Sequence, residues 1–177
     1  MKYFEIQDSP ELKYAPQLKD WYGRFDVRDI RIDTFPKLPD MQLFMIEPSE
    51  NTIFTDIILF PFLLVSPMVQ GVIKMYRERC FFRKVILLDQ KNQESVLYYL
   101  PVLDETSDIQ IQRIQYTNGR GVPEISDIKG EKIEPDRNLF WVKDSKKRHV
   151  ILSLDMAESL IRRCLLYTSP SPRDSTS

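Results

Sequence analysis

The sequence predicts an α+β domain with a mostly antiparallel sheet and two principal helices, at about residues 66–79 and 154–163. Three observations lead to that class. Short apolar runs bounded by Pro, Asn and Asp recur along the chain, which is how strands are punctuated. Two segments, each opened by a serine, carry apolar residues at helical spacing. The strand-like runs come in neighbouring pairs rather than alternating with helices, as a doubly wound sheet would require.

Taken in order, residues 2–6 read as a first strand. Residues 8–25 read as irregular, with Pro10 and Pro16 barring a long helix and Trp21, Tyr22 and Phe25 pinning the loop. Residues 28–33 hold too few apolar positions to assign. Gln42 to Ile46 reads as a strand between Pro39 and Pro48. Asp56 to Val65 is apolar around Pro61, which has to sit at an edge or a break. Ser66-Pro67 is an N-cap followed by proline at the first helical position, and Met68, Val69, Val72, Ile73, Met75 and Tyr76 follow at helical spacing. Gly71 within that helix costs about 1 kcal/mol relative to alanine, so a tight packing contact is expected there.

Val85 to Leu88 is a continuous apolar run of the kind buried on both faces, and Ser95 to Leu100 is its hairpin partner, closed by Pro101. Residues 109–116 alternate with one extra residue at Arg113, the pattern of a β-bulge. Leu139 to Lys143 and His149 to Leu152 form a second hairpin. Ser153 then caps a helix whose apolar face reads Leu154, Ala157, Leu160 and Ile161. Its acidic residues come early and its arginines late, as the helix dipole favours.

Residues 164–174, Cys-Leu-Leu-Tyr-Thr-Ser-Pro-Ser-Pro-Arg-Asp, resemble the in-frame translation of a transposon-based sequencing adapter. The expectation is therefore a single domain over residues 1–163, with an irregular N-terminal portion (1–50) and a core (57–163). Residues 164–177 are expected to be a non-native tail that truncates the last helix. With the tail set aside, Cys80 is the one cysteine left, which rules out an intrachain disulfide framework and fits a reducing cytoplasm.

The chain of 177 residues is 42% hydrophobic and 29% charged with a net charge of −1, a globular composition without a field favouring nucleic acid or anionic membrane. Five glycines against twelve prolines disfavour glycine-rich phosphate cradles. Glu5 interrupts the N-terminal apolar run, unlike a signal peptide. The apolar stretch Ile57 to Val65 falls far short of the roughly 20 residues of a membrane helix.

No residue pattern points to catalysis, a cofactor or a metal. His149 is the only histidine and reads as a surface or strand residue, so neither a triad nor a zinc site is expected. Arg77 and Arg79 beside Cys80 could lower its pKa, although Phe81 and Phe82 favour a packed cysteine. Gly119-Arg120-Gly121 lacks the spacing of a phosphate loop. Lys146-Lys147-Arg148 reads as a solubilising hairpin tip. Asp104, Glu105 and Asp108 cluster after the central hairpin and are the candidate partner-binding residues, against a plain solvated loop.

From Ile57 onward the order of elements carries a resemblance. An apolar segment enters a Ser-Pro-capped helix (Leu64 to Tyr76). A Phe-Phe-x-x-Val-x-Leu strand and a tyrosine-rich partner follow (Phe81 to Leu88, then Tyr98 to Asp104). The chain then runs through Leu139-Phe140-Trp141-Val142-Lys143 and Ile151 to Leu160. This order resembles the immunity protein eleven family of bacterial polymorphic-toxin systems. The resemblance covers roughly residues 57–163 and rests on pattern rather than an invariant motif. It implies a cytoplasmic, non-catalytic protein that binds and blocks a cognate toxin. The other readings are an accessory or regulatory interaction domain and, third, a carboxylate-dependent enzyme.

Overall fold

The computed structural model describes residues 3–7, 14–24, 26–106, 137–143 and 147–163, together with the backbone of 110–113 and 124–129. Over these residues the chain is α+β, with two helices and two sheets of mostly antiparallel strands. The strands are β1 (Tyr3–Ile6), β2 (Met41–Met45), β3 (Ile57–Ile58), β4 (Leu64–Val65), β5 (Cys80–Asp89), β6 (Glu94–Leu103), β7 (Glu105–Thr106), β8 (Gln110–Arg113), β9 (Glu124–Lys129), β10 (Leu139–Lys143) and β11 (Arg148–Ser153). The helices are α1 (Pro67–Met75) and α2 (Leu154–Arg163). Short 3-10 turns at Val27–Asp29 and Phe35–Lys37 punctuate the approach to β2.

A five-stranded sheet has the order β2-β5-β6-β4-β3, and a six-stranded sheet the order β7-β10-β11-β1-β9-β8. Two pairings are parallel: β2 with β5, and β7 with β10. One apolar cluster joins residues of both sheets and both helices. The N-terminal portion is therefore no appendage, since β1 lies inside the six-stranded sheet and β2 extends the other.

The expected central hairpin is present as β5 and β6, ten residues each and paired from Cys80↔Leu103 to Asp89↔Glu94. Asp89 holds its turn by accepting from the Asn92 backbone (3.2 Å) and side-chain amide (2.8 Å). Pro101 does not close β6 as expected, because the strand runs on to Leu103 with Pro101 opposite Phe82. β4 meets β6 only at Val65↔Tyr99, so the missing N–H has no ladder to interrupt on that side.

Burial on both faces belongs to a different pair of strands from the one expected. In β5, Val85 and Leu87 are buried while Ile86 and Leu88 are half-buried, so the run alternates. Instead β10 buries Leu139, Phe140, Trp141 and Val142 in succession, and β11 buries His149 through Ser153. Leu139, Trp141, Val150 and Leu152 join the shared core. The opposite face holds Tyr3, Glu5, Phe140, Val142, His149 and Ile151, all buried. Tyr3 meets Phe140 there edge-on at 5.6 Å.

The bulge expected at Arg113 is present, with a register shift between Gln112 and Arg113. Gln112 pairs Asp127 and Arg113 pairs Ile125, so the extra residue is Ser126 on β9 rather than one on β8. Residues 114–116 and the adapter-like 164–177 lie outside the described residues.

Both serine caps form as expected. The Ser66 hydroxyl accepts from Val69 N at 3.3 Å, and the Ser153 hydroxyl accepts from Met156 N at 3.2 Å. The buried face of α2 is Met156 and Leu160, whereas Leu154 and Ile161 are exposed, contrary to expectation. Packing on α1 selects this face: the Tyr76 hydroxyl reaches Ser159 Oγ (2.6 Å) and donates to Asp155 O (3.0 Å).

Gly71 also departs from expectation. It is exposed, and a Cβ there would meet nothing within 4 Å. No close approach explains the glycine, so it carries only its entropic cost. We expect Gly71→Ala to stabilise the protein by about 0.5–1 kcal/mol. Urea denaturation checks this, and a destabilised variant would refute the open-space geometry.

Candidate functional site

The acidic residues singled out in sequence fall at the junction of β6, β7 and β10. Asp104 follows β6 directly, and its Oδ2 accepts from Arg137 Nη2 at 2.9 Å. Arg137 also donates to Thr106 Oγ1 (2.8 Å), and its guanidinium lies 4.5 Å from the Phe140 ring centre. Glu105 Oε1 sits 2.7 Å from Arg148 Nε, although the alignment falls short of a hydrogen bond. Arg148 donates to Ile30 O (2.8 Å) and covers Trp141 at 4.5 Å. Phe140 and Trp141 are consecutive in β10 and project to opposite faces, so the two arginines are held on opposite sides of the strand. Each carboxylate thus has a cation of its own. Asp108 lies outside the described residues, as do Gly119-Arg120-Gly121 and Lys146.

Arg148 is therefore not the solubilising residue it resembles in sequence, and His149 is no surface residue. His149 is 3% exposed on β11, and its Nδ1 bonds Oε1 of Glu5, itself 2% exposed on β1. The register places Glu5 beside Ile151, one diagonal step from His149 on the same face. Gln7 Nε2 donates to the other Glu5 oxygen at 2.9 Å, and Lys147 Nζ stands 3.9 Å from the first. A carboxylate with this burial is tolerable only with such partners. The pair is inaccessible to solvent and serves as a clamp between strands.

Cys80 is half-buried in β5. Burial pushes its thiol up to about 12, aided by the charge of Glu78, so the low-pKa reading suggested by Arg77 and Arg79 is overturned. Glu78 instead accepts two 2.8 Å hydrogen bonds, from the backbone and side-chain amides of Asn138. Asn138 Oδ1 in turn accepts from the Ser153 hydroxyl at 2.7 Å, tying the exit of α1 to the start of α2.

Asp56 lies where β3 begins. Burial raises its carboxyl above the usual range, opposed by the Ser66 hydroxyl donating to Oδ1 at 2.8 Å, and Oδ2 has no hydrogen-bond partner. The Tyr98 phenol, raised by its own burial and then by Asp56, donates to Thr55 O at 2.7 Å. Among the described residues no three His, Cys, Asp or Glu side chains are grouped to hold a metal ion. No helix there is long and apolar enough to cross a membrane.

The two most exposed aromatic side chains among the described residues lie elsewhere. Trp21 is half-buried and packs on the core, as expected of a loop anchor. Tyr22 is 71% exposed and anchors nothing, contrary to its sequence reading. Phe60, between β3 and β4, is 69% exposed. Both rings stand nearly perpendicular to Trp21, with Tyr22 at 5.1 Å and 82° and Phe60 at 5.8 Å and 84°. Beside them a depression of about 450 Å³ is lined by Trp21, Tyr22, Gly23, Asp26 and Val27. Gly23 takes φ +84°, a backbone conformation open to glycine, as the chain turns around this hollow. Asp26 is fixed by Arg28, whose Nε and Nη2 donate to its two oxygens at 2.7–3.0 Å. Those bonds hold the Asp26 carboxyl down to about 2. Sequence reasoning named Trp21 and Tyr22 but missed the corner, because Phe60 reaches Trp21 from 39 residues away and sequence spacing cannot show that.

No family model, curated protein or solved structure matches this chain.

Two expectations concern the buried groups. Replacing Glu5 by Leu, or His149 by Ala, leaves a buried polar partner unpaired and should cost about 3–5 kcal/mol in urea denaturation. Glu5→Gln should cost less, because the amide retains an acceptor. Equal losses for Gln and Leu would show that the hydrogen bonds contribute nothing. In a Cys164→Ala background, Cys80 should alkylate much more slowly than free cysteine between pH 7 and 9, because its folded-state thiol stays protonated there. Iodoacetamide kinetics followed by mass spectrometry read this, and a rate equal to that of free cysteine would contradict the burial.

Proposed function

We propose that this chain is a non-catalytic protein-binding domain, an immunity-like protein that binds and neutralises a cognate bacterial toxin in the cytoplasm. The observation that carries the binding reading is the exposed aromatic corner of Trp21, Tyr22 and Phe60. Trp and Tyr dominate binding hot spots because they offer large rigid area at low entropic cost. Exposed large aromatics grouped together mark interaction sites more often than scattered single ones do.

The toxin-neutralising part rests on the sequence resemblance of residues 57–163. In this reading Asp104 and Glu105 belong to the periphery of an interface at most, since Arg137 and Arg148 already compensate them. The same engagement weakens the carboxylate-enzyme reading, which needs two carboxylates free to exchange protons with a substrate. An accessory or regulatory interaction domain would use the same aromatic corner for a different partner.

The test is to express the product of the gene adjoining this one and measure its toxicity and its binding to this chain by calorimetry. The expected result is a toxic product, rescue on co-expression, and a loss of affinity of about tenfold or more with Tyr22→Ala or Phe60→Ala. A neighbouring product that is neither toxic nor bound sinks the toxin reading. Binding untouched by both substitutions sinks the aromatic corner as its site.

A further inference from the structure

β2 ends the five-stranded sheet and is paired along its length only with β5. In a parallel pair, alternate residues of a strand bond to the neighbour and the others point away. Lys84 N donates to Asp40 O at 3.2 Å, and Ile46 N donates to Leu88 O at 3.1 Å, so the even-numbered residues from Asp40 to Ile46 serve β5. Met41, Leu43 and Met45 therefore direct their backbone groups outward. Lys19 N donates to Met45 O from that side at 2.7 Å, which closes the far end. The N–H and C=O groups of Met41 and Leu43 have no partner among the described residues. Their side chains share the face away from the core and are 51% and 43% exposed. On that face Leu43 continues into Ile86 and Leu97, both half-buried, as an apolar row across three strands. An open edge with apolar side chains is a template for another strand, and neither a charge nor a proline within β2 guards it.

We infer that two copies of this chain join through β2, antiparallel about a two-fold axis at Gln42. The symmetry of the open stretch selects a second copy as the occupant. The stretch is bounded by Pro39, which has no N–H, and by Met45, whose C=O is taken, and Gln42 is its midpoint. An axis there sets Met41 against Leu43 of the second copy, and Leu43 against its Met41. All four are outward-pointing positions, so each pair exchanges two backbone hydrogen bonds. Methionine meets leucine on the apolar face at both pairs, and on the other face Gln42 meets its own copy. β2 starts at Met41 and Leu38 already turns into the core, so the second copy's strand ends opposite Leu43, short of the place Lys19 holds beside Met45. Axes at Leu43 or Met41 fit less well. The first sets Met41 against the blocked Met45, and the second sets Leu43 against Pro39, which has no N–H to return. An interface of this size falls below the roughly 1,200 Å² of stable complexes, so the association is weak and depends on concentration. Pairing consumes both β2 edges, so assembly stops at two copies. The inference goes beyond the toxin-binding reading and does not depend on it.

Sedimentation velocity of the full chain from about 10 μM to 1 mM tests this, with a reductant present so that Cys80 and Cys164 stay unlinked. A monomer–dimer equilibrium with Kd of roughly 20–500 μM is expected, with no larger species. On dimerisation, hydrogen exchange should slow at the Met41 and Leu43 amides, while those of Gln42 and Phe44, directed at β5, stay as they are. Leu43→Pro removes an outward N–H without touching the β5 ladder, and Leu43→Lys sets like charges at the contact from an exposed position. Each should raise Kd about tenfold or more with unchanged circular dichroism, and the lysine variant decides the matter if the proline variant fails to fold. A chain still monomeric at the highest concentration overturns the inference, as do assemblies larger than a dimer. Dimers unaffected by both substitutions overturn it too. Dimers abolished by Tyr22→Ala but not by Leu43→Lys would place the contact at the aromatic corner and overturn it as well.

Discussion

The six-stranded sheet is held together by its N-terminal strand. β1 pairs with β11 on one side and β9 on the other, and no other described pairing joins the β7-β10-β11 half to the β9-β8 half. That position forces burial on both sides of a short strand, and Glu5 falls on the face opposite the shared core. A carboxylate there demands partners, which is why the only histidine of the chain is buried at the diagonal position of β11. A clamp of this kind contributes less to net stability than its Coulomb energy suggests, because desolvation offsets much of it. Its larger effect is on register. A one-residue slip of β1 would move Glu5 away from His149 and into the apolar core, so the mispaired sheet is strongly disfavoured.

Arginine has a second structural use throughout the molecule. Arg83, Arg137 and Arg148 each lie over an aromatic ring, at 3.9, 4.5 and 4.5 Å, while also reaching a carboxylate. Arg83 links β5 to the turn at Phe35 and to Asp40, and Phe35 stacks on Phe81. These guanidinium planes seal sheet margins that small apolar side chains would leave open. Lysine could not replace these arginines, since it offers no plane to stack.

Local chemistry was legible from residues alone. Ser66-Pro67 and Ser153 announce their helices, and the polar turns at 89–94 and 144–147 announce the two hairpins, because caps and turns are short-range events. The partner of an edge strand was not legible: β2 lies parallel to β5, and nothing in Met41–Met45 encodes that. Pro101 misled because its effect depends on what lies beside the strand, and β4 does not extend to that position. Helix faces were half legible. Of the expected α2 face, Leu160 is buried and Ala157 packs on the core, but Met156 takes the inward place expected of Leu154 and Ile161, and contact with α1 through Tyr76 and Ser159 sets that rotation. Of the candidate site, Trp21 and Tyr22 stood out as residues. Their exposure and the arrival of Phe60 are tertiary facts.

The central place of β1 also imposes a schedule on synthesis. Glu5 and His149 are separated by 144 positions, and a ribosome adding roughly 5–20 residues per second needs about 7–30 s to travel between them. Throughout that interval the first strand has been made and its β11 partner has not. The β5–β6 hairpin, local and long, can form within microseconds of emerging, so the five-stranded sheet can be assembled while β1 is still waiting. Each nascent chain therefore carries an apolar strand without its β11 partner through most of its translation, a window in which a ribosome-associated chaperone has the most to protect.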